Sequence, residues 1–185
     1  MNGILGITGT PGTGKKSIAP LVAELLGAEC FSINELARDH GYAEAKGDDY
    51  EVDTKGLRRK IASLVPRPSV LHGHLLPAVL GRSLAERVVV LRCEPGVLGG
   101  RLRDRGYPGP KVRANLEAEL IGLVASEAYN AFGALTCEFD TTSTAPPAAA
   151  AAVVRLAERK AAGRRIDWTR RYDSALKLRS LLPPE

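Results

Sequence analysis

Ile4-Leu5-Gly6-Ile7-Thr8-Gly9-Thr10-Pro11-Gly12-Thr13-Gly14-Lys15-Lys16-Ser17 is the stretch from which the rest of the chain can be read. Ile4 to Thr8 is an apolar run of strand length, and it passes straight into the spacing G-x-x-x-x-G-K over Gly9, Gly14 and Lys15. From Lys15 to Leu26, Ile18, Leu21, Val22, Leu25 and Leu26 recur at helical spacing and stop at Gly27. Strand, glycine loop and helix in that order let successive backbone amides converge on phosphate oxygens. The helix N-terminus faces the same anion, and the lysine reaches the outer phosphates. The reading is a phosphate-binding loop built by Gly9, Gly12, Thr13, Gly14 and Lys15, with Lys16 and Ser17 opening the helix.

Two positions depart from the usual chemistry of such loops. The residue after the lysine normally offers a hydroxyl to Mg²⁺, and here it is Lys16. Ser17 follows, about 100° further round the helix, so it is a weak candidate metal ligand rather than a replacement. The second metal support is normally an acid near the end of a strand beside the loop. The corresponding run, Val70-Leu71-His72-Gly73-His74, has none. His72 and His74 are two apart and could face the same way. Without a carboxylate or cysteine they make a poor metal set, and hydrogen bonding to phosphate or water suits them better.

Outward from the loop, apolar runs at Glu29–Phe31, Ser69–Leu71, Arg87–Arg92 and Ala134–Phe139 read as further strands. They are continuous rather than alternating, as in a parallel sheet covered on both faces. Helical spacing is predicted over residues 54–64, 97–105, 111–131 and 148–162, and Ser32 with Glu35 has the pattern of a capping box. The polar stretch from Asp39 to Asp53 reads as an insertion. The expected fold is α/β: a three-layer α/β/α P-loop NTPase with a five-stranded parallel sheet, in one domain over residues 1–185.

Composition agrees with a soluble globular chain: 185 residues, 44% hydrophobic and 25% charged. No apolar run approaches the roughly 18 residues of a membrane span. Met1 to Gly6 lacks the features of a signal peptide, so the expected location is cytoplasmic, with no membrane partner. The three cysteines, Cys30, Cys93 and Cys137, have no C-x-x-C spacing and read as buried thiols. The net charge is +5, and the segment from Arg155 to Arg179 alone carries nine Lys/Arg against Glu158, Asp167 and Asp173. Such a basic extension, over about residues 155–185, fits either an acidic partner such as RNA or a solvated helix face.

Taken together, these motifs resemble the archaeal adenylate kinase family, whose eukaryotic relatives are nuclear adenylate kinase/ATPase proteins of small ribosomal subunit assembly. The resemblance rests on Thr8–Lys15, Ser32–Arg38, Val52-Asp53, Gly73-His74, Arg101–Tyr107, Lys111, Asn115–Glu119, Phe139–Thr142 and Ile166-Asp167-Trp168. It implies a nucleoside-monophosphate-kinase architecture with an AMP-binding flap at about residues 32–55 and a lid at about 104–114. It implies ATP and AMP as substrates, Mg²⁺ as cofactor, a slower ATP hydrolysis, and a small-subunit ribosomal protein and rRNA as partners. Lys15, Arg105 and His74 (or His72) would be catalytic. Arg101 and Arg105 would join the loop on ATP, and Arg38 would meet the AMP phosphate, although an arginine late in a helix also suits the negative end of the dipole. Members of the family normally carry Thr at position 16 and an acid before Gly73, so this chain keeps the ATP loop and lacks both metal supports. Two alternatives stand beside the kinase: a catalytically weakened, nucleotide-gated assembly factor, and a P-loop kinase for another small acceptor. The acids Asp48, Asp49, Glu51 and Asp53 argue against the latter's binding a carboxylate there.

Overall fold

The computed structural model describes residues 2–46, 49–159 and 165–182, without the side chains of residues 49, 175 and 179. In chain order it has β1 (Ile4–Thr8), α1 (Lys15–Leu26), β2 (Glu29–Ser32), α2 (Ile33–Asp39), β3 (Ala43–Lys46), β4 (Asp49–Val52), α3 (Thr54–Leu64) and β5 (Ser69–His72). There follow α4 (Leu76–Val79), β6 (Ala85–Arg92), α5 (Pro95–Arg103), α6 (Gly109–Leu120), α7 (Leu123–Phe132), β7 (Thr136–Asp140), α8 (Pro146–Glu158) and α9 (Ala175–Leu181).

Five strands form one sheet in the order β2-β5-β1-β6-β7, and every neighbouring pair is parallel. Side chains alternate faces along a strand, so a strand covered on both sides must be apolar at every position. That is what β6 shows. Val88 and Val90 pack with Ile4, Leu57, Leu71 and Phe132 on one face, while Val89 and Leu91 pack with Leu5, Ile7, Val22 and Val153 on the other. Helices α2, α3, α4 and α7 supply the first layer, and α1 and α8 the second. Each fully buried Leu, Ile or Phe contributes about 1.5–3 kcal/mol of transfer free energy, so these two layers hold the sheet. A third cluster lies outside them. Leu98 and Leu102 of α5 and Val112, Leu116 and Leu120 of α6 enclose Trp168 and Leu181 from the C-terminal segment.

The fold is thus the expected three-layer P-loop architecture, with three local corrections. The polar insertion holds an antiparallel hairpin, with Ala43 opposite Val52 and Lys46 opposite Asp49; Asp48 and Gly47 lie outside the described residues. Its strands alternate apolar and polar residues, with Ala43 paired to Val52 and Ala45 to Tyr50, but each run is only four residues long. The helix expected over 111–131 is two helices. Gly122, at φ 68°, lies in the left-handed region between them, which ends α6 and lets the chain re-aim into α7. Finally, Ser32 makes no side-chain cap to α2. The effective cap is Asp53, whose carboxylate accepts the Gly56 amide at 2.8 Å and starts α3.

Among the described residues, no helix is long and apolar enough to cross a membrane. All three cysteines are free, with Cys93 and Cys137 buried and Cys30 half-buried.

Candidate functional site

Parallel strands bring all their carboxyl ends to one edge of the sheet. β1 is central, flanked by β5 and β6, and the chain reaches these two neighbours in opposite directions; ligands of open α/β sheets bind in the crevice at such a reversal. The Gly9–Gly14 turn lies there, between the end of β1 and the start of α1. It lies flat on its support. A Cβ on Gly9 (φ 141°) would come 2.3 Å from the Leu91 carbonyl oxygen, and one on Gly12 (φ 92°) would come 2.6 Å from Leu98 Cδ1. Only glycine satisfies both the backbone angle and the space.

Hydrogen bonds fix the turn from inside. The Thr13 hydroxyl donates to the Thr10 carbonyl at 2.9 Å, and the Thr141 hydroxyl stands 2.9 Å from both the Thr13 and Arg92 carbonyls. Lys15 folds over the loop, and its Nζ donates to the carbonyls of Gly9 (2.6 Å) and Thr10 (2.9 Å). Desolvation lowers its pKa to about 7, with Arg105 and Lys16 pushing the same way and Glu119 opposing them. His72, buried at the end of β5, is lowered first by desolvation and then by Lys15 and Lys16, against Glu35. His74 is exposed on its outer edge, yet desolvation by the cleft walls, with Lys15 and Lys111, holds it at about 4. Both histidines are therefore neutral at pH 7. They stand at different depths rather than side by side.

These mutual effects define the site electrostatically. Lys16 and Arg105 lower Lys15, Lys15 and Lys16 lower His72, and Lys15 and Lys111 lower His74, while Lys111 also rests 5.5 Å from the centroid of the Tyr107 ring. Positive charge focused in a crevice against converging amides is a polyphosphate trap. Arg105 is exposed in the turn after α5. The Arg101 guanidinium donates to the carbonyls of Thr141 (2.9 Å) and Thr142 (3.0 Å), holding the β7–α8 loop beside the phosphate turn. Arg38 is exposed in the last turn of α2. The segment read as a lid is a turn at residues 104–106 followed by the first turns of α6.

Magnesium is implied by loops of this type, and the donor set here does not suit it. An ammonium, Lys16, stands at the hydroxyl position and Ser17 is one residue further round α1. β5 ends in His72 with no acid, and among the described residues no group of three or more His, Cys, Asp or Glu side chains could hold a metal.

One part of the site escaped the sequence reading. Behind the loop, Arg92 (2% exposed) is ion-paired to both Glu119 (2.8 Å) and Glu138 (2.6 Å). Glu119 also accepts the Thr10 hydroxyl at 2.5 Å. The available signal was Glu119 itself, a charge on the same helical face as Val112 and Leu116.

The basic C-terminal segment is partly neutralised. Arg170 pairs with Asp167 (3.2 Å), Lys177 with Asp173 (2.8 Å), and Arg171 stands 3.9 Å from Glu94. Arg165 lies over the Tyr129 ring. Lys160 and Arg164 are outside the described residues.

Comparison with known proteins agrees with this geometry. A family described as AAA domain matches residues 5–122. A protein of Thermococcus gammatolerans named "Putative adenylate kinase" is 35% identical over 176 residues, covering 94% of this chain and 97% of its own. A Methanothermobacter thermautotrophicus protein of the same name is 38% identical over 143 residues, covering 76% and 81%. Among solved structures, shikimate kinase from Acinetobacter baumannii superimposes with a TM-score of 0.58 at 20% identity, covering 83% of this chain and 92% of its own. The YorR protein of Bacillus subtilis, in complex with phosphorylated GDP, gives 0.56 at 20%, covering 84% and 95%. The structural likenesses carry the P-loop kinase fold, and the sequence relatives carry the family: this chain belongs to the archaeal family whose members bear the adenylate kinase name.

Proposed function

We propose that the protein is a nucleoside monophosphate kinase that transfers a phosphoryl group from ATP to AMP, giving two ADP. The observation that carries this reading is the glycine turn itself, with Lys15 Nζ folded over its Gly9 and Thr10 carbonyls and Lys16 and Arg105 adding positive charge beside it. Phosphoryl transfer asks for positioning and charge rather than covalent help from the protein. The phosphate oxygen of AMP attacks the γ-phosphorus of ATP. The bond from that phosphorus to its bridging oxygen breaks, and ADP leaves with the electron pair. Lys15 moves from the Gly9 and Thr10 carbonyls to the outer phosphates, and Lys16 neutralises charge where the metal's ligand would otherwise stand. Arg105 closes from the turn after α5, while neutral His74 can hydrogen-bond a phosphate oxygen or the water that would act as acceptor in a slower ATP hydrolysis. Residues 32–55 form the acceptor flap with Arg38 toward the AMP phosphate, and residues 104–114 form the lid, all within one kinase domain.

Two acids of the flap are engaged within it, Asp53 capping α3 and Glu51 paired with Lys46 at 2.6 Å, and acids there would repel rather than grip a carboxylate acceptor. A cytoplasmic ribosome-maturation role, with rRNA or a small-subunit protein on the basic segment, is the companion reading, supported by exposed Arg155, Arg159 and Arg165. RNA held there would dissociate steeply as salt rises.

The test is ADP formation from ATP plus AMP by purified protein, with and without Mg²⁺, beside Lys15→Ala. ADP formation that Lys15→Ala abolishes is expected. Nucleotide binding with no turnover would replace the kinase by a nucleotide-sensing scaffold.

A further inference from the structure

Glu119 is the last acid of α6, and it touches three separately built parts of the molecule. Its Oε2 accepts the Thr10 hydroxyl (2.5 Å) from the phosphate turn. Its Oε1 accepts Arg92 Nε (2.8 Å), the Cys93 amide (3.0 Å) and the indole N–H of Trp168 (3.1 Å). Trp168 belongs to the C-terminal segment, which the same ion cluster grips twice more. Arg92 donates to the Ile166 carbonyl at 3.1 Å, and the Ile166 amide donates to Glu138 at 3.2 Å.

The charges in this cluster do not balance locally. One guanidinium faces two carboxylates, all at most 7% exposed. A buried ion cluster is seldom retained for stability alone, because apolar packing would serve as well. Here the surplus negative charge lies under the turn that holds Lys15, and Lys15 Nζ bonds the carbonyl of Thr10, the residue whose hydroxyl Glu119 holds. A polyphosphate that draws Lys15 off the Thr10 carbonyl therefore removes a cation that attracts Glu119. Glu119 then relies more on its remaining donors, of which the Trp168 indole is one. Helix α6 adds a mechanical link, since its twelve residues (Gly109–Leu120) carry Lys111 at the mouth and Glu119 at the base. A rigid helix of that length spans about 18 Å.

We propose that Glu119 is a positioning residue that couples the phosphate turn, through Thr10, to the C-terminal segment, through Trp168, so that nucleotide occupancy and the state of that segment control each other. This rests on the nucleotide-binding reading of the turn. Coupling of two sites is reciprocal, so a partner that draws the C-terminal segment away changes nucleotide affinity by the same factor that nucleotide changes the partner's.

The chain has a single tryptophan, Trp168, which makes its emission a direct reporter. Full-length protein is titrated with ADP while binding is measured independently by calorimetry. The expected result is a saturable change in Trp168 emission with the calorimetric midpoint. Thr10→Val, which removes the hydroxyl and keeps the shape, should bind ADP about tenfold more weakly, the loss of one hydrogen bond to a charged group. It should also lose the emission response, and Thr10→Ser should restore both. Trp168→Phe keeps an aromatic ring without the N–H, and should weaken ADP by up to about fivefold, the worth of one net hydrogen bond being the ceiling because the bond is already made in the empty protein. Three results overturn the coupling: calorimetric binding with no emission change, a Thr10→Val response equal to wild type, or Trp168→Phe with unaltered affinity. Absence of any calorimetric binding overturns the coupling and the nucleotide reading together, which distinguishes that failure from the others.

Discussion

Lys15 makes the binding site pH-dependent in a direction opposite to that of the empty protein. Its pKa in the empty site is lowered from 10.5 to about 7, by desolvation first and then by Arg105 and Lys16, with Glu119 opposing. Phosphate oxygens provide the opposite charge that the empty site lacks, and return the pKa to its ordinary range or above. At pH 8 about nine-tenths of Lys15 is neutral before binding and nearly all of it charged after, so binding takes up about 0.9 proton. Nucleotide affinity should then fall about tenfold between pH 6 and pH 8 from this group alone. The sign for folding is reversed. The unfolded chain binds the Lys15 proton up to pH 10.5 and the folded empty chain only to about 7, so this group makes the empty protein more stable as pH rises through that window. The assay is calorimetric ADP binding at pH 8 in two buffers of different ionisation enthalpy, where the phosphate's own step near pH 6 is complete. Buffer-dependent heat corresponding to uptake of nearly one proton, abolished by Lys15→Met, is expected. Equal heats in the two buffers, or the same uptake in Lys15→Met, would refute the assignment.

Three further outcomes follow from the same site. ADP affinity of the wild-type protein should be nearly the same in EDTA and in Mg²⁺. Lys16→Thr should lose about ten- to a hundredfold in EDTA, the worth of one charge-assisted contact, and recover most of it when Mg²⁺ is added; equal metal dependence of the two proteins in titration calorimetry would sink the substitution of ammonium for metal. Gly12→Ala should destabilise by about 2–4 kcal/mol, from the left-handed angle together with overpacking against Leu98 and Leu102, read as a lower denaturant midpoint. Gly9→Ala should be worse, because its neighbour is a backbone carbonyl that cannot turn aside; a milder effect at Gly9 than at Gly12 would contradict that packing.

The parts of this molecule that follow from local chemistry could be read in the sequence. The Gly9–Lys15 spacing names a turn because few other sequences permit those backbone angles, and Val88–Leu91 names a covered strand because both faces must be apolar. The break at Gly122 was harder, since apolar residues continue at helical spacing on both sides of it. The hairpin at residues 43–52 was hard to read because its alternation, Ala43 and Ala45 then Tyr50 and Val52, lasts only four residues in each strand. The Arg92–Glu119–Glu138 cluster was missed for a different reason. Each charge alone looks like an interruption of an apolar face, and only the packing of β6, α6 and β7 against one another shows that the three satisfy each other. Arg101 stands in a cationic run that the sequence displays, but its bonds to the Thr141 and Thr142 carbonyls come from a loop forty positions away and leave no local pattern.

The stitching of Ile166 and Trp168 into that cluster also has a consequence for synthesis. A chain emerging from the ribosome delivers the phosphate turn first and the residues that complete its foundation more than 150 positions later. Until then Arg92 and Glu119 each lack a partner, the third apolar cluster is open along α5 and α6, and the contacts still to be made are of the slow, long-range kind. The buried base of the phosphate turn is therefore complete only once residues 166–168 have been made. A nascent chain stopped before residue 166 would present a recognisable loop on an unfinished base.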